Sequence, residues 1–173
     1  MIRRPHEDRD LSRAELELAV ADLLRRPEEW DHLVRHDPGG ARTYAQLEVG
    51  EHVEAWLICW SEGNDTGFHD HDLSHGAVGV VAGRVREETL VLGGEPAVRE
   101  VCEGGVFSFD ATDIHRVLHL GDVPAVTLHL YSPPLRRMGA YEVLADGRLA
   151  RRSIGADAEL GGAAGKVGAT TAV

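Results

Sequence analysis

Ten histidines in 173 residues is a high count, and three of them are spaced for metal chemistry. His69 and His71 flank Asp70 in a segment that reads as a strand or strand edge. Residues two apart on a strand point the same way, so both imidazoles can reach one ion. His115, in Asp113-Ile114-His115-Arg116-Val117, is the third candidate, because a barrel could fold it back beside the pair. Imidazole is the commonest metal ligand and the usual proton carrier near neutral pH. Three neutral ligands without a carboxylate leave about three open positions on an octahedral ion, the kind of open site that non-haem Fe(II) oxygenases use. A His-x-His pair also occurs as a plain solvated strand edge, and that reading stays open on the spacing alone. Thr127, His129 and Tyr131 alternate and therefore share one strand face.

The elements that must position these residues are mostly strands. Residues 12–24 read as a helix: Ser12 and Glu15 form a capping box, and Leu16, Val20, Leu23 and Leu24 recur at helical spacing. Pro27 suits the first position of a second short helix carrying Trp30, Leu33 and Val34, which Asp37-Pro38-Gly39-Gly40 ends. From residue 43 the period changes from 3.6 to 2. The segments 43–49, 53–60, 76–82, 84–92, 97–102, 106–109, 114–119 and 124–131 read as strands punctuated by glycine turns. In the first of them Ala45, Leu47 and Val49 share a face. Asp146-Gly147 marks a late hairpin between 141–144 and 148–151. Short strands at regular spacing predict a β-sandwich or barrel. The expected division is a helical arm over 1–40, a barrel over 41–152 and a flexible Gly/Ala-rich tail over 153–173.

Composition narrows the partners. Asp and Glu outnumber Lys and Arg 29 to 18, a formal charge of −11. A phosphate backbone or an anionic membrane needs a basic surface, so neither nucleic acid nor membrane is expected as a partner. The first ten residues lack an apolar segment of the secretory kind. Two cysteines, Cys59 and Cys102, do not make a disulfide framework. The expected location is the cytoplasm, as a monomer or weak homo-oligomer.

The spacing Gly63-x5-His69-x-His71, then Gly83, and Gly104 with His115 after it, resembles the two-motif pattern of cupins, with Gly76 where a glutamate ligand would stand. The stretches LICWSEGNDTGFHDHDLSHG, DIHRV and PAVTLHLYSPP resemble the cysteine dioxygenase family of thiol dioxygenases over about residues 42–144. The resemblance implies a mainly β fold, a jelly-roll-like cupin β-barrel. It implies one Fe(II) per chain held by His69, His71 and His115, with dioxygen as cosubstrate and a small thiol as partner. The thiol would leave as a sulfinic acid, the second rung of thiol oxidation. It also implies a relay of Thr127, His129 and Tyr131, in which His129 orients Tyr131 beside the substrate, and a cis bond before Pro133. Other readings are a metal cupin of different chemistry or a non-enzymatic ligand-binding or sensor cupin.

Two departures bear on the substrate. Animal members crosslink a cysteine to the active-site tyrosine, and that position is Gly76. The family clamps the substrate carboxylate with an arginine on the first strand, or has a glutamine there in its mercaptopropionate branch. Alignment on Tyr44 and Leu47 puts Ala45 at that position, with Arg42 and Gln46 flanking it out of register. The expectation is room for a bulkier thiol than cysteine, such as ergothioneine, with Ala45, Arg42 and Gln46 as the substrate-binding candidates.

Overall fold

The computed structural model describes residues 8–146 and 148–155. Among the described residues, eleven antiparallel strands form two facing sheets. They are β1 Thr43–Val49, β2 Glu54–Trp60, β3 His69–Asp70, β4 His75–Ala82, β5 Arg84–Thr89, β6 Ala97–Cys102, β7 Val106–Phe109, β8 His115–His119, β9 Ala125–Ser132, β10 Arg137–Val143 and β11 Leu149–Gly155. One sheet runs β1-β2-β9-β4-β7 and the other β11-β10-β3-β8-β5-β6. This is the jelly-roll arrangement of a cupin barrel.

The strand pleat sorts the apolar residues into two layers. Ile58, Trp60, Val78, Val80, Phe107 and Phe109 point between the sheets. Leu57, Cys59, Ala77, Leu128 and Leu130 point out of the five-stranded sheet and meet helix α1, Arg13–Leu24. That central sheet is covered on both faces, which is why β2 and β9 read as almost continuous apolar runs. Leu16, Val20 and Leu23 of α1 are fully buried, each contributing about 1.5–3 kcal/mol. The helix comes close because Gly79 lacks a side chain: a Cβ there would sit 3.0 Å from Leu24 and 3.1 Å from Val20.

The capping box forms as the sequence predicts, the Ser12 amide donating to the Glu15 carboxylate at 2.9 Å. The second short helix instead becomes two 3₁₀ turns, Pro27–Glu29 and Asp31–Leu33. The Trp30 indole donates back to the Leu23 carbonyl at 3.0 Å, which folds the chain against the end of α1 before a longer helix can extend. The last strand reaches Gly155, so residues 153–155 of the expected tail belong to the sheet; the remainder of that tail lies outside the described residues. No helix among the described residues is long and apolar enough to cross a membrane.

The sequence places both histidines on one strand, but β3 is only two residues long and holds only His69 of the pair. His71 lies just beyond it, where Asp72 adopts a left-handed conformation (φ 57°) and its amide donates to Asp70 Oδ1 at 3.1 Å. Asp70 faces away from its two neighbours and fixes this short strand. Its carboxylate accepts from the Gly139 amide at 3.1 Å, from Arg151 Nε and Nη2 at 2.8 Å each, and from the Tyr141 hydroxyl. Burial alone would raise its pKa, but these donors hold it well below the usual carboxylate range.

Candidate metal centre

β3 and β8 pair with His69 opposite His115, which puts two imidazoles side by side across one ladder. His71 follows on the same side. The three rings offer one ligand atom each, all within 4.8 Å of one another, and all three residues are buried. Ring centroids lie 4.8 Å apart for His69 with either partner and 5.2 Å apart for His71 with His115.

Hydrogen bonds fix which nitrogen faces the centre. His69 Nδ1 donates to the Gly67 carbonyl at 2.9 Å, and His115 Nδ1 donates to Glu87 Oε1 at 2.7 Å. Each ring therefore keeps the lone pair on Nε2. His115 Nε2 is buried and has no hydrogen-bond partner among the described residues, which suits it to ligate a metal. Burial pushes the His115 imidazole down to about 4 despite the Glu87 hydrogen bond, and His69 and His71 nearby act in the same direction. It is neutral and able to ligate at neutral pH. Three neutral nitrogen donors suit a divalent first-row ion and leave it open positions.

Glu87 was not singled out by the sequence. It is 2% exposed and lies between His115 and Arg99 Nε. Burial alone would push its carboxyl up, but the His115 hydrogen bond and charge, then those of Arg99, outweigh it and keep it below its ordinary value. Arg99 also donates to the Ser108 carbonyl at 3.1 Å and stacks 4.9 Å from the Phe107 ring centroid. A carboxylate on the outer nitrogen of a ligand histidine fixes the ring and makes its inner nitrogen a better donor.

The second histidine group lies on β9 beside the first. Trp60 Nε1 donates to Thr127 Oγ1 at 2.8 Å; Thr127 Oγ1 lies 2.8 Å from His129 Nε2, and His129 Nδ1 lies 3.2 Å from the Tyr131 hydroxyl. The Tyr131 ring is 5.3 Å from that of His71. The Ser132–Pro133 peptide that follows is cis.

Phe109 closes the other side. Gly76 pairs with Phe109 on one flank and with Tyr131 on the other. A Cβ at residue 76 would come within 2.1 Å of the Phe109 ring. The ring fills that space and stacks 4.5 Å from His71 and 4.3 Å from His115. A cavity of about 140 Å³ reaches His71 from outside, lined by Leu73, Ser74, Pro133, Pro134, Arg136 and Arg137 among others.

The structure does not bring all three substrate-binding candidates to the interior. Ala45 pairs with Leu57, a residue of the outer layer, so it faces away from the barrel. Gln46 pairs with Trp56, and Trp56 packs on the inner layer opposite His129. Arg42, just before β1, is 9% exposed, and its guanidinium lies 4.9 Å over the Trp60 ring. On this strand Arg42, Tyr44 and Gln46 share the parity of the inner layer, and Ala45 does not.

Among solved structures, the chain resembles a cupin superfamily protein from Desulfitobacterium hafniense (TM-score 0.52, 11% identity, 61% of this chain and 89% of that one). It also resembles a conserved protein with a double-stranded β-helix domain from Klebsiella pneumoniae (TM-score 0.51, 14% identity, 70% and 91%). Identities this low speak to the fold alone. Curated relatives include cysteine dioxygenase type 1 of Danio rerio, 26% identical over 126 residues, covering 67% of this chain and 63% of that protein. The human protein of the same name is 31% identical over 97 residues, covering 50% and 48%. The chain thus spans about half to three-fifths of the length of these relatives. The family model for cysteine dioxygenase type I matches residues 11–143, a span holding both histidine groups and the strands that carry them, and the chain belongs to that family.

Proposed function

We propose that this protein is a non-haem iron thiol dioxygenase that converts a small carboxylate-bearing thiol to its sulfinic acid. The observation that carries this reading is the buried three-histidine cluster with a tyrosine relay beside it, in a chain of this family. His69, His71 and His115 would hold the ion through one ring nitrogen each. The chemistry supplied by a bound ferrous ion is the pairing of a thiolate with dioxygen at one open centre. The balance closes without a reductant: sulfur gives up four electrons, dioxygen takes up four, and both oxygen atoms end on sulfur.

The residues of the chain provide the rest. As neutral ligands, His69, His71 and His115 would leave a bound ion its full charge, which would favour loss of the thiol proton. Phe109 lines the centre with an apolar ring and excludes water from that side. Tyr131 presents a hydroxyl held by His129 and can donate to a developing negative charge. Glu87 holds the His115 ring in place.

Arg42 and Gln46 bear on the substrate. A guanidinium inside the barrel suits a thiol whose other end is anionic. With Ala45 turned outward, the extra room that favoured a bulky thiol is not supplied by that residue, and ergothioneine is one carboxylate thiol among several.

The test is oxygen uptake and sulfinate formation by iron-loaded protein with L-cysteine, 3-mercaptopropionate, ergothioneine and cysteamine, which lacks a carboxylate. At least one carboxylate thiol is expected to be oxidised well and cysteamine poorly. Arg42→Gln should raise the KM of the preferred thiol roughly 10–150-fold, the loss of one charge-assisted pair, and leave cysteamine unchanged. Absence of oxygen uptake with all four thiols contradicts the reading.

A further inference from the structure

Trp60 is a core residue, fully enclosed. Its hydrogen bond carries more information than its packing. An indole N–H can only donate. Trp60 Nε1 donates to Thr127 Oγ1 at 2.8 Å. Thr127 is itself fully buried, and its hydroxyl has two neighbours among the described residues, Trp60 Nε1 and His129 Nε2. The first is a donor, so the hydroxyl proton has one acceptor left, His129 Nε2. The opposite arrangement, with a proton on Nε2, would leave the Thr127 hydroxyl proton buried and unsatisfied, which is costly.

The direction then propagates. With its lone pair on Nε2, neutral His129 carries its proton on Nδ1. Nδ1–H donates to the Tyr131 oxygen at 3.2 Å. Tyr131 accepts from His129, so its own proton is turned elsewhere, on a ring that also lies 5.3 Å from that of His71 and 6.3 Å from that of Phe109. Two further contacts reinforce this order. The Arg42 guanidinium lies 4.9 Å over the Trp60 ring and the His129 ring stacks on it at 6.3 Å. A cation on an indole face draws electron density from the ring and strengthens the N–H as a donor.

We propose that Trp60 is a positioning residue that sets the direction of the whole chain, obliging Thr127 to donate to His129, His129 to donate to Tyr131, and Tyr131 to act as a donor toward the metal centre. This rests on the dioxygenase reading for its consequence in catalysis but not for the geometry, and the two can be tested apart.

The geometric arm uses the full-length chain carrying Zn(II) and ¹⁵N-labelled histidine, with the His129 signals assigned by their loss in His129→Asn. His129 is expected as a single tautomer protonated on Nδ1. Thr127→Ser should retain it. Trp60→Phe, which keeps a buried aromatic ring and loses the N–H, should release it to a mixture or to the Nε2–H form. The catalytic arm uses the iron-loaded protein and its preferred thiol. Trp60→Phe and Thr127→Val should lower kcat about 10–100-fold with KM changed little, and Thr127→Ser should retain most activity. A His129 proton on Nε2 in the wild type, or a tautomer and kcat indifferent to Trp60→Phe, overturns the proposal. If no thiol is oxidised by the wild type, the dioxygenase reading fails while the tautomer result still decides the role of Trp60. Should Trp60→Phe not fold, Thr127→Val against Thr127→Ser decides the same point from the next link.

Discussion

At the residue scale, what matters is which nitrogen or oxygen of each group faces the centre. His115 shows it best: its outer nitrogen is engaged by a buried carboxylate, so the inner one is left to face His69 and His71. Glu87→Gln keeps the shape and an acceptor but removes the charge, and it should weaken metal binding about 10–100-fold in competition with a chelator. Affinity equal to wild type would reduce Glu87 to a packing role. Tyr131→Phe removes only a hydroxyl. Turnover should fall about 100-fold while iron content stays at the wild-type level; full turnover would remove Tyr131 from the chemistry. The histidines were legible in the sequence because their type and alternation are themselves the signal. Glu87, Arg99 and the Trp60 N–H were not. Each acts on a partner brought near only by folding, and no local pattern marks a carboxylate or an indole as the neighbour of a ligand.

The elements were largely readable, down to β6 at Ala97–Cys102 and β7 at Val106–Phe109. Glycine turns and alternation mark such strands directly. Phase was harder. On β1, Ala45 and Leu47 alternate with Tyr44 and Gln46, and the apolar pair looks like the core side. They do face apolar neighbours, but in the layer outside the sheet, while Tyr44 and Gln46 take the opposite face of the strand and remain exposed. A sheet covered on both faces removes the contrast that tells inside from outside. Two predictions belong here. Gly76→Ala drives a methyl into the Phe109 ring and should destabilise the fold by about 1–3 kcal/mol in denaturant melts; Phe109→Leu should relieve most of it. A neutral Gly76→Ala would mean that Phe109 moves freely. Asp70→Asn weakens the hold on β3 and should cost about 1.5–3 kcal/mol at neutral pH. Because folding depresses the Asp70 pKa, that contribution is present above the unfolded carboxylate value near 4 and is lost as pH falls below it. The stability gap between wild type and Asp70→Asn should therefore narrow on acidification; a gap that widens would contradict the ion pair with Arg151.

Over the whole molecule, the two sheets do different work. The six-stranded sheet brings in His69 and His115, and the five-stranded sheet holds the proton-bearing chain on β9 and the Phe109 wall. The metal cluster and the tyrosine meet only because the sheets face each other across one core, which is why the cupin barrel rather than any single element defines the site. In the proposed function, this meeting point transfers both atoms of dioxygen to a thiol sulfur. The direct measurement is mass spectrometry of the product formed by iron-loaded protein from its preferred thiol under ¹⁸O₂. The expected product is a sulfinic acid carrying label at both oxygens, with one dioxygen consumed per thiol. A disulfide, a singly labelled product, or oxygen uptake undiminished by His115→Ala would contradict it.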